Sequence, residues 1–328
     1  MLKEIILFKY KMIAQAPTKE LKFPAFEDIK VSTKTFTSTT NLTINIKELF
    51  AMLPVTPYIV TAKKRGRKKK SEVGDPNKDI PHGSIVTIKC EGELRGVELK
   101  VKKTKAGHKK KWFRNSITIV IILDKPINFK VCRNGTFQMT GCKTHQHAQD
   151  CIKYIWQYIK DCPELYTFTR GNKLETLFIP SMRNIDFSLG FLVDREKLNQ
   201  YMSTQQEFHC LLETSFGYTG VNIKIPLKED ISTMEIVKLT HLQDNEWKVE
   251  FTTYQEYLDL LTEKERQIKL SDERYNTFLV FHSGKVIMSG LTARFMRDVY
   301  AYFLHIMRQC YDKIEERLLS DVDKLVLE

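Results

Sequence analysis

Seven cations stand within eight residues of one another: Lys63, Lys64, Arg65, Arg67, Lys68, Lys69 and Lys70. The chemistry open to them is neutralisation of a polyanion. From residue 63 to residue 111 there are seventeen Lys or Arg against six Asp or Glu, a net of +11. The whole 328-residue chain carries a formal +12, so nearly all its excess charge lies in this one segment. Nucleic acid is the simplest partner for such a block, because each phosphate neutralised releases condensed counterions. A solvated loop that keeps the protein soluble is the plainer alternative.

A second cluster, Cys142, His145, His147 and Cys151, holds residue types that ligate zinc. Its spacing fits no common zinc module, so no metal and no cofactor is expected. The seven cysteines are odd in number and unpaired in spacing, as in a reduced protein rather than a disulfide scaffold. Phosphate-binding glycine loops, dinucleotide fingerprints, serine elbows and zincin helices are absent from the sequence, and no enzyme is expected. No stretch approaches the ~20 apolar residues of a membrane span. The early run Ile5-Ile6-Leu7-Phe8 is broken by Lys9 and Lys11, too short for a secretory signal, and an intracellular protein is expected.

The elements that must position these residues come as a repeat. Phe129-Lys-Val-Cys-Arg-Asn-Gly135-Thr-Phe-Gln-Met139-Thr-Gly141 lies over Phe278-Leu-Val-Phe-His-Ser-Gly284-Lys-Val-Ile-Met288-Ser-Gly290, at an offset of 149. Each reads as strand, tight Asn-Gly or Ser-Gly turn, strand. The same offset lays Ile44-Asn-Ile-Lys-Glu-Leu49 over Val193-Asp-Arg-Glu-Lys-Leu198, each opening a helix. A longer helix follows each hairpin. Its apolar positions are Ile152, Ile155, Trp156 and Ile159 in the first copy, and Phe295, Val299, Tyr302, Phe303 and Ile306 in the second. Spacings of three and four put them on one face, against the sheet. Within the insertions, 85–90, 97–102 and 247–251 read as strands, and 254–267 reads as one helix. Strand alternation puts Leu279 and Phe281 on one face, Phe278 and Val280 on the other.

At the hairpins a family resemblance becomes specific. Phe281-His-Ser-Gly284-Lys285-Val-Ile-Met-Ser289-Gly290 resembles the hairpin of the TATA-box-binding-protein family, and Arg133-Asn-Gly135-Thr-Phe-Gln-Met-Thr140-Gly141-Cys-Lys143 resembles its other copy. Arg183-Asn184-Ile185 is similar to the family's Gln-Asn-Ile. Phe216-Gly-Tyr-Thr-Gly-Val-Asn-Ile-Lys-Ile-Pro226 keeps the family's separation of Phe and Pro. The divergent forms of large DNA viruses are the nearest in character.

The resemblance implies an α+β fold: two tandem repeats in a curved antiparallel saddle, helices on the convex face, insertions in each repeat. It divides the chain into an arm (1–22), a first repeat (23–165) with a basic insertion at about 58–111, a second repeat (166–319) with an insertion at about 228–274, and a tail (320–328). It implies a non-catalytic initiation factor that binds the minor groove of A·T-rich double-stranded DNA, with wedge phenylalanines kinking the duplex. Partners would be a general transcription factor of the B type and RNA polymerase. The protein would be a monomer or weak dimer in the nucleus, a viral factory or a virion, and without a membrane partner.

Carried over residue by residue, Phe216 and Phe281 match the wedges, Leu279 and Ile287 match groove-facing apolar positions, Ser289 replaces a threonine, and Asn184 matches the central asparagine. The first copy departs from the pattern. Cys132 stands at a wedge position, Lys130 and Gln138 at apolar ones, and Thr35 at the offset of Asn184. Thr140 is retained. Phe113, or its neighbour Trp112, is the candidate for the other wedge, although its separation from Pro126 is longer than that of Phe216 from Pro226. Arg65-Gly66-Arg67 resembles the core of an AT-hook without its following proline, and equally a nuclear-import signal. The departures open an alternative: a protein-interaction saddle that bends DNA weakly or not at all.

Overall fold

The computed structural model describes residues 21–60, 76–99, 113–205, 208–213, 219–243 and 246–316. The basic run at 63–70, Trp112, Phe216 and the tail at 320–328 lie outside the described residues, as does nearly all of the arm.

The first half of the chain forms β1 (Val31–Thr40), β2 (Leu42–Ile44), α1 (Ile46–Met52), β3 (Ser84–Cys90), β4 (Glu93–Gly96), β5 (Ser116–Ile122), β6 (Pro126–Cys132), β7 (Thr136–Cys142) and α2 (His145–Ile159). After β8 (Tyr166–Phe168) come β9 (Glu175–Ser188), α3 (Arg195–Ser203), β10 (His209–Glu213), β11 (Gly220–Pro226), β12 (Glu235–His241) and β13 (Trp247–Thr253). The chain continues with α4 (Tyr254–Asp259), α5 (Glu263–Ser271), β14 (Tyr275–Phe281), β15 (Lys285–Gly290) and α6 (Ala293–Ile314). The class is α+β with one large antiparallel sheet, in the order β10-β11-β14-β15-β9-β1-β7-β6-β5-β3-β4. Outward from the β9–β1 pair, each side meets a hairpin, β15–β14 or β7–β6, and then an earlier strand, β11 or β5. Among the described residues, no helix is long and apolar enough to cross a membrane.

Local contacts recur at the 149-residue offset. Asn45 caps α1 by accepting from the Glu48 amide, and Asp194 caps α3 by accepting from the Lys197 amide. The Ile44 amide donates to the Arg133 carbonyl at 2.8 Å, and the Val193 amide donates to the His282 carbonyl at 2.8 Å. Gly135 and Gly284 turn the hairpins with φ of +71° and +75°. At each of them an added Cβ would strike a backbone oxygen, that of Leu42 at 2.2 Å or that of Phe191 at 2.1 Å. Only glycine avoids both the strained φ and the collision.

One face of the sheet is buried under the long helices. Phe129, Met139 and Leu49 cluster with Ile152, Ile155, Trp156 and Ile159 of α2. Phe278, Met288 and Leu198 cluster with Phe303 and Ile306 of α6, and the Phe278 and Phe303 rings stack at 4.0 Å.

Three sequence expectations need correction. Tyr302 is 40% exposed at the edge of the α6 stripe, while Tyr300 is buried and donates its hydroxyl to the Pro24 carbonyl. The helix expected over 254–267 is two helices, because Thr262 starts a new one with a capping box to Glu265. The second strand of the first insertion is Glu93–Gly96, paired with β3, rather than 97–102; residues 97–99 are not strand, and 100–102 lie outside the described residues.

The turn geometry makes a stability prediction. Gly284→Ala forces a β-carbon into left-handed backbone, which alone costs about 1–2 kcal/mol, and against the Phe191 carbonyl. Asp194→Ala loses one cap, a cost of about 1 kcal/mol. Urea melts of the two variants should rank Gly284→Ala as clearly the less stable. Equal midpoints would show that this turn does not constrain the hairpin.

Candidate nucleic-acid interface

Each strand that buries one face on the helices presents the alternate residues on the other. On β14 the alternation is regular: Asn276, Phe278 and Val280 are buried, whereas Tyr275, Thr277, Leu279 and Phe281 remain half-exposed. On β15, Val286 and Met288 are buried and Ile287 and Ser289 are half-exposed. Cross-strand register sets Leu279 beside Ile287 and Thr277 beside Ser289. Ser289 in turn faces Asn184 on β9, and Asn184 faces Thr33 on β1. Asn184, Leu279, Phe281, Ile287 and Ser289 therefore share one face. The side-chain oxygen of Asn184 is buried with no hydrogen-bond partner, as is that of Asn222, which is registered beside Leu279.

Phe281 and Ile287 line a hollow of about 1010 Å³ at the outer end of this half, with Arg195, Asp186 and Lys285. A matching hollow of about 600 Å³ ends the first half, lined by Cys132, Arg133, Thr136, Gln138 and Phe113. Cys132 and Gln138 are the offset counterparts of Phe281 and Ile287, so the two hollows are equivalent in position but not in chemistry. In the first half, Lys130 and Gln138 are register partners, and Gln138 and Thr140 are exposed. The Thr140 hydroxyl donates to the Asn128 carbonyl at 3.2 Å. Burial pushes the Cys132 thiol above its ordinary pKa, so it stands there as a small neutral group. Phe113 is 71% exposed, and the Lys130 ammonium lies 3.8 Å from its ring centroid. This cation–π contact holds a ring and a charge together at the tip.

Register also revises one correspondence. Ser116 pairs with Cys132, and Gly220 pairs with Phe281. Strands β5 and β11 thus correspond at an offset of 104, which makes Ile122, not Pro126, the counterpart of Pro226. By the same count Trp112, one residue before Phe113, corresponds to Phe216.

Sequence reasoning missed several features of this face. Leu211, 62% exposed, is registered beside Asn222, and Lys224 beside Thr277. Asp186 opposes Ile287 and places an acid among the apolar groups. Strand alternation carries the signal for each. The insertion also reaches this face. Leu177 and Ile179 alternate with Phe178, which packs under α2, and they cluster instead with Tyr254, Tyr257 and Leu258 of α4. Burial there pushes the Tyr257 hydroxyl up to about 12.

The residues of the cysteine–histidine cluster have other contacts. Cys142 and Cys151 are fully buried, and burial raises both thiols. His147 accepts from the Lys143 amide and lies 2.9 Å from Asp124. His145 lies edge-on to the Phe36 ring at 4.8 Å. Among the described residues, no group of three or more His, Cys, Asp or Glu is arranged to hold a metal ion.

Comparison with known proteins gives the following. No family model matches the chain. Over 201 residues it is 28% identical to uncharacterized protein 335L of Invertebrate iridescent virus 6, covering 58% of this chain and 59% of that protein. Over 153 residues it is 29% identical to a TATA-box-binding protein-like protein of Acanthamoeba polyphaga mimivirus, covering 38% of this chain and 40% of that one. The chain thus spans about half the length of these relatives. Among solved structures it is similar to the TBP of Methanococcus jannaschii, with a TM-score of 0.40 and 12% identity, covering 87% of this chain and 99% of that one. By sequence, then, part of the chain is similar to a viral TATA-box-binding protein-like protein.

Proposed function

We propose that this chain is a transcription initiation factor that grips the minor groove of A·T-rich promoter DNA and recruits further factors without catalysing a reaction. The observation that carries the reading is the half-exposed row of Asn184, Ser289, Ile287, Leu279 and Phe281 on one face of the sheet. A minor groove needs such a row: apolar surface for its floor, and a few short polar groups for its acceptors. Phe281 sits at the end of its strand, where a ring can wedge into a base step. Asn184, with its unpaired oxygen, stands between Thr33 and Ser289 near the middle of the sheet, where the family resemblance puts an asparagine.

On this reading the two halves are tandem copies of one repeat, 23–165 and 166–319, forming a saddle with its helices on the convex side. The basic run at 63–70 supplies sequence-independent attraction to phosphates. A B-type general factor and RNA polymerase are the partners, and the protein works as a monomer or weak dimer in a nucleus, a viral factory or a virion.

Two observations favour a second reading, a protein-interaction saddle. The first half presents Lys130 and Gln138 where the second presents Leu279 and Ile287, and Asp186 puts a negative charge on the face that would meet DNA. Pressing Lys130 against a groove floor rather than a phosphate costs desolvation.

Two measurements test the proposal. With the seven cations of 63–70 replaced by alanine, affinity should fall on every duplex. The slope of log affinity against log salt should flatten by about 0.9 for every phosphate that is no longer neutralised. An unchanged slope would leave that run as a solvated loop or a transport signal. Bending is the second measurement, read by end-to-end fluorescence transfer on a short TATA duplex at matched saturation. Phe281→Ala should abolish most of the bend and keep the salt-dependent binding, and Cys132→Phe should increase the bend. Bending that survives Phe281→Ala would hand the site to the interaction-saddle reading.

A further inference from the structure

The β1–β9 pair carries an electrostatic anomaly on the helix side. Lys34 and Arg183 are register partners, directly opposite one another. Each alternates with residues of the open face, so both point toward the helices. Like charges so placed repel, and both are half-buried. Burial lowers both pKa values, and the Arg183 charge lowers that of Lys34 further. Neither has a carboxylate partner among the described residues, and the Nε of Arg183 is buried without a hydrogen bond.

The surroundings add further positive potential, from Arg294 and from two helix N-termini, against one acid. The groove above these two cations, about 650 Å³, is lined by His145 at the start of α2 and by Arg294 at the start of α6. Both helices direct their N-terminal ends here, and neither carries an acid in its first turn. The Nδ1 of His145 is buried and unpaired. Among the described residues, Glu235 is the single acid lining the groove. Its opposite rim is apolar: Val249 and Phe251, 47% and 69% exposed, project from the β12–β13 hairpin of the second insertion.

We propose that this groove is a docking site for an acidic, apolar-bearing peptide segment of a partner protein. A carboxylate would lie over Lys34 and Arg183, and an apolar side chain would lie against Val249 and Phe251. An isolated phosphate satisfies the cations and leaves the apolar rim uncovered. A peptide alternating acid and apolar residues satisfies both, since it carries the missing negative charge and the missing apolar surface at adjacent positions. The groove lies across the sheet from Phe281, so its occupancy is compatible with a duplex on the other face. The site goes beyond the promoter-binding reading and stands whether or not that reading does.

The test is fluorescence polarisation with the full chain and a fluorescein-labelled twelve-residue peptide alternating Glu and Leu. Saturable binding is expected. Phe251→Ser and Arg294→Gln, both at exposed positions, should each weaken it by about fivefold or more, while Phe281→Ala leaves it unchanged. Lys34→Met should weaken binding while raising the melting temperature, because it removes the unpaired repulsion. A Glu/Ser peptide of equal charge should bind several-fold more weakly. The proposal is overturned if the Glu/Leu peptide does not bind. It is also overturned if Phe251→Ser leaves binding intact, or if inorganic phosphate or the Glu/Ser peptide competes equally, since attraction by bulk charge would then be the whole effect.

Discussion

The backbone pairing of β1 with β9 is what makes one sheet of two halves. Each half alone is a hairpin, a preceding strand and a long helix, with its apolar face closed by that helix. The β1–β9 ladder runs from Val31 opposite Ile185 to Thr40 opposite Thr176, with two irregularities in register. It sets Asn184 next to Thr33 and so continues the open face from one half into the other. It also forces Lys34 against Arg183 on the helix side. A like-charge pair at a half-buried position is destabilising, and among the described residues it is offset by no carboxylate, only by the Phe26 ring 5.8 Å from the Arg183 guanidinium. The presence of this pair at the junction, under two helix N-termini, is the reason to regard the junction as a site as well as a seam.

Much of this arrangement was legible in the sequence, for local reasons. The hairpins were visible because a turn at positive φ needs glycine, and strand alternation then assigns Phe278 and Val280 inward and Leu279 and Phe281 outward. The helix starts were visible because Ile44–Leu49 and Val193–Leu198 carry one pattern 149 residues apart, although their caps, Asn45 and Asp194, were not read as such. The placement of the insertions was not visible, because it depends on pairing between distant segments. Nothing in 235–241 announces that β12 adds to the N-terminal part of β9, or that Tyr254 and Tyr257 then cover Leu177 and Ile179 on the face expected to be open. The break at Thr262 was overlooked for a different reason: apolar periodicity continues past it, and only the cap reveals the new start. The match of Phe113 to Pro126 failed because counting from prolines ignores register, which ties Pro226 to Ile122.

The two halves diverge unevenly, and the pattern follows the faces of the sheet. Helix-side pairs keep their character: Phe129 and Phe278, Val131 and Val280, Met139 and Met288, Leu49 and Leu198 are all fully buried. Close packing explains this, since a core position tolerates little change in volume. Open-face pairs do not keep theirs. Lys130 stands for Leu279, Cys132 for Phe281 and Gln138 for Ile287, with only Thr140 and Ser289 alike.

On the promoter-binding reading, that division bears on how the protein would meet a duplex. A sheet whose halves presented identical faces would meet DNA equally well in either orientation, because the backbones of a duplex are themselves related by two-fold symmetry. Direction then has to come from differences between the halves or from a second protein. Here the differences are large: one end offers a ring and apolar floor, the other a lysine held 3.8 Å over Phe113 and a small neutral thiol. Inserting an apolar side chain is cheapest at a flexible step, whereas a lysine gains most beside a phosphate. On the promoter-binding reading, the same scaffold joins an end suited to deforming bases with an end suited to holding backbone, and this asymmetry would favour one orientation on the duplex.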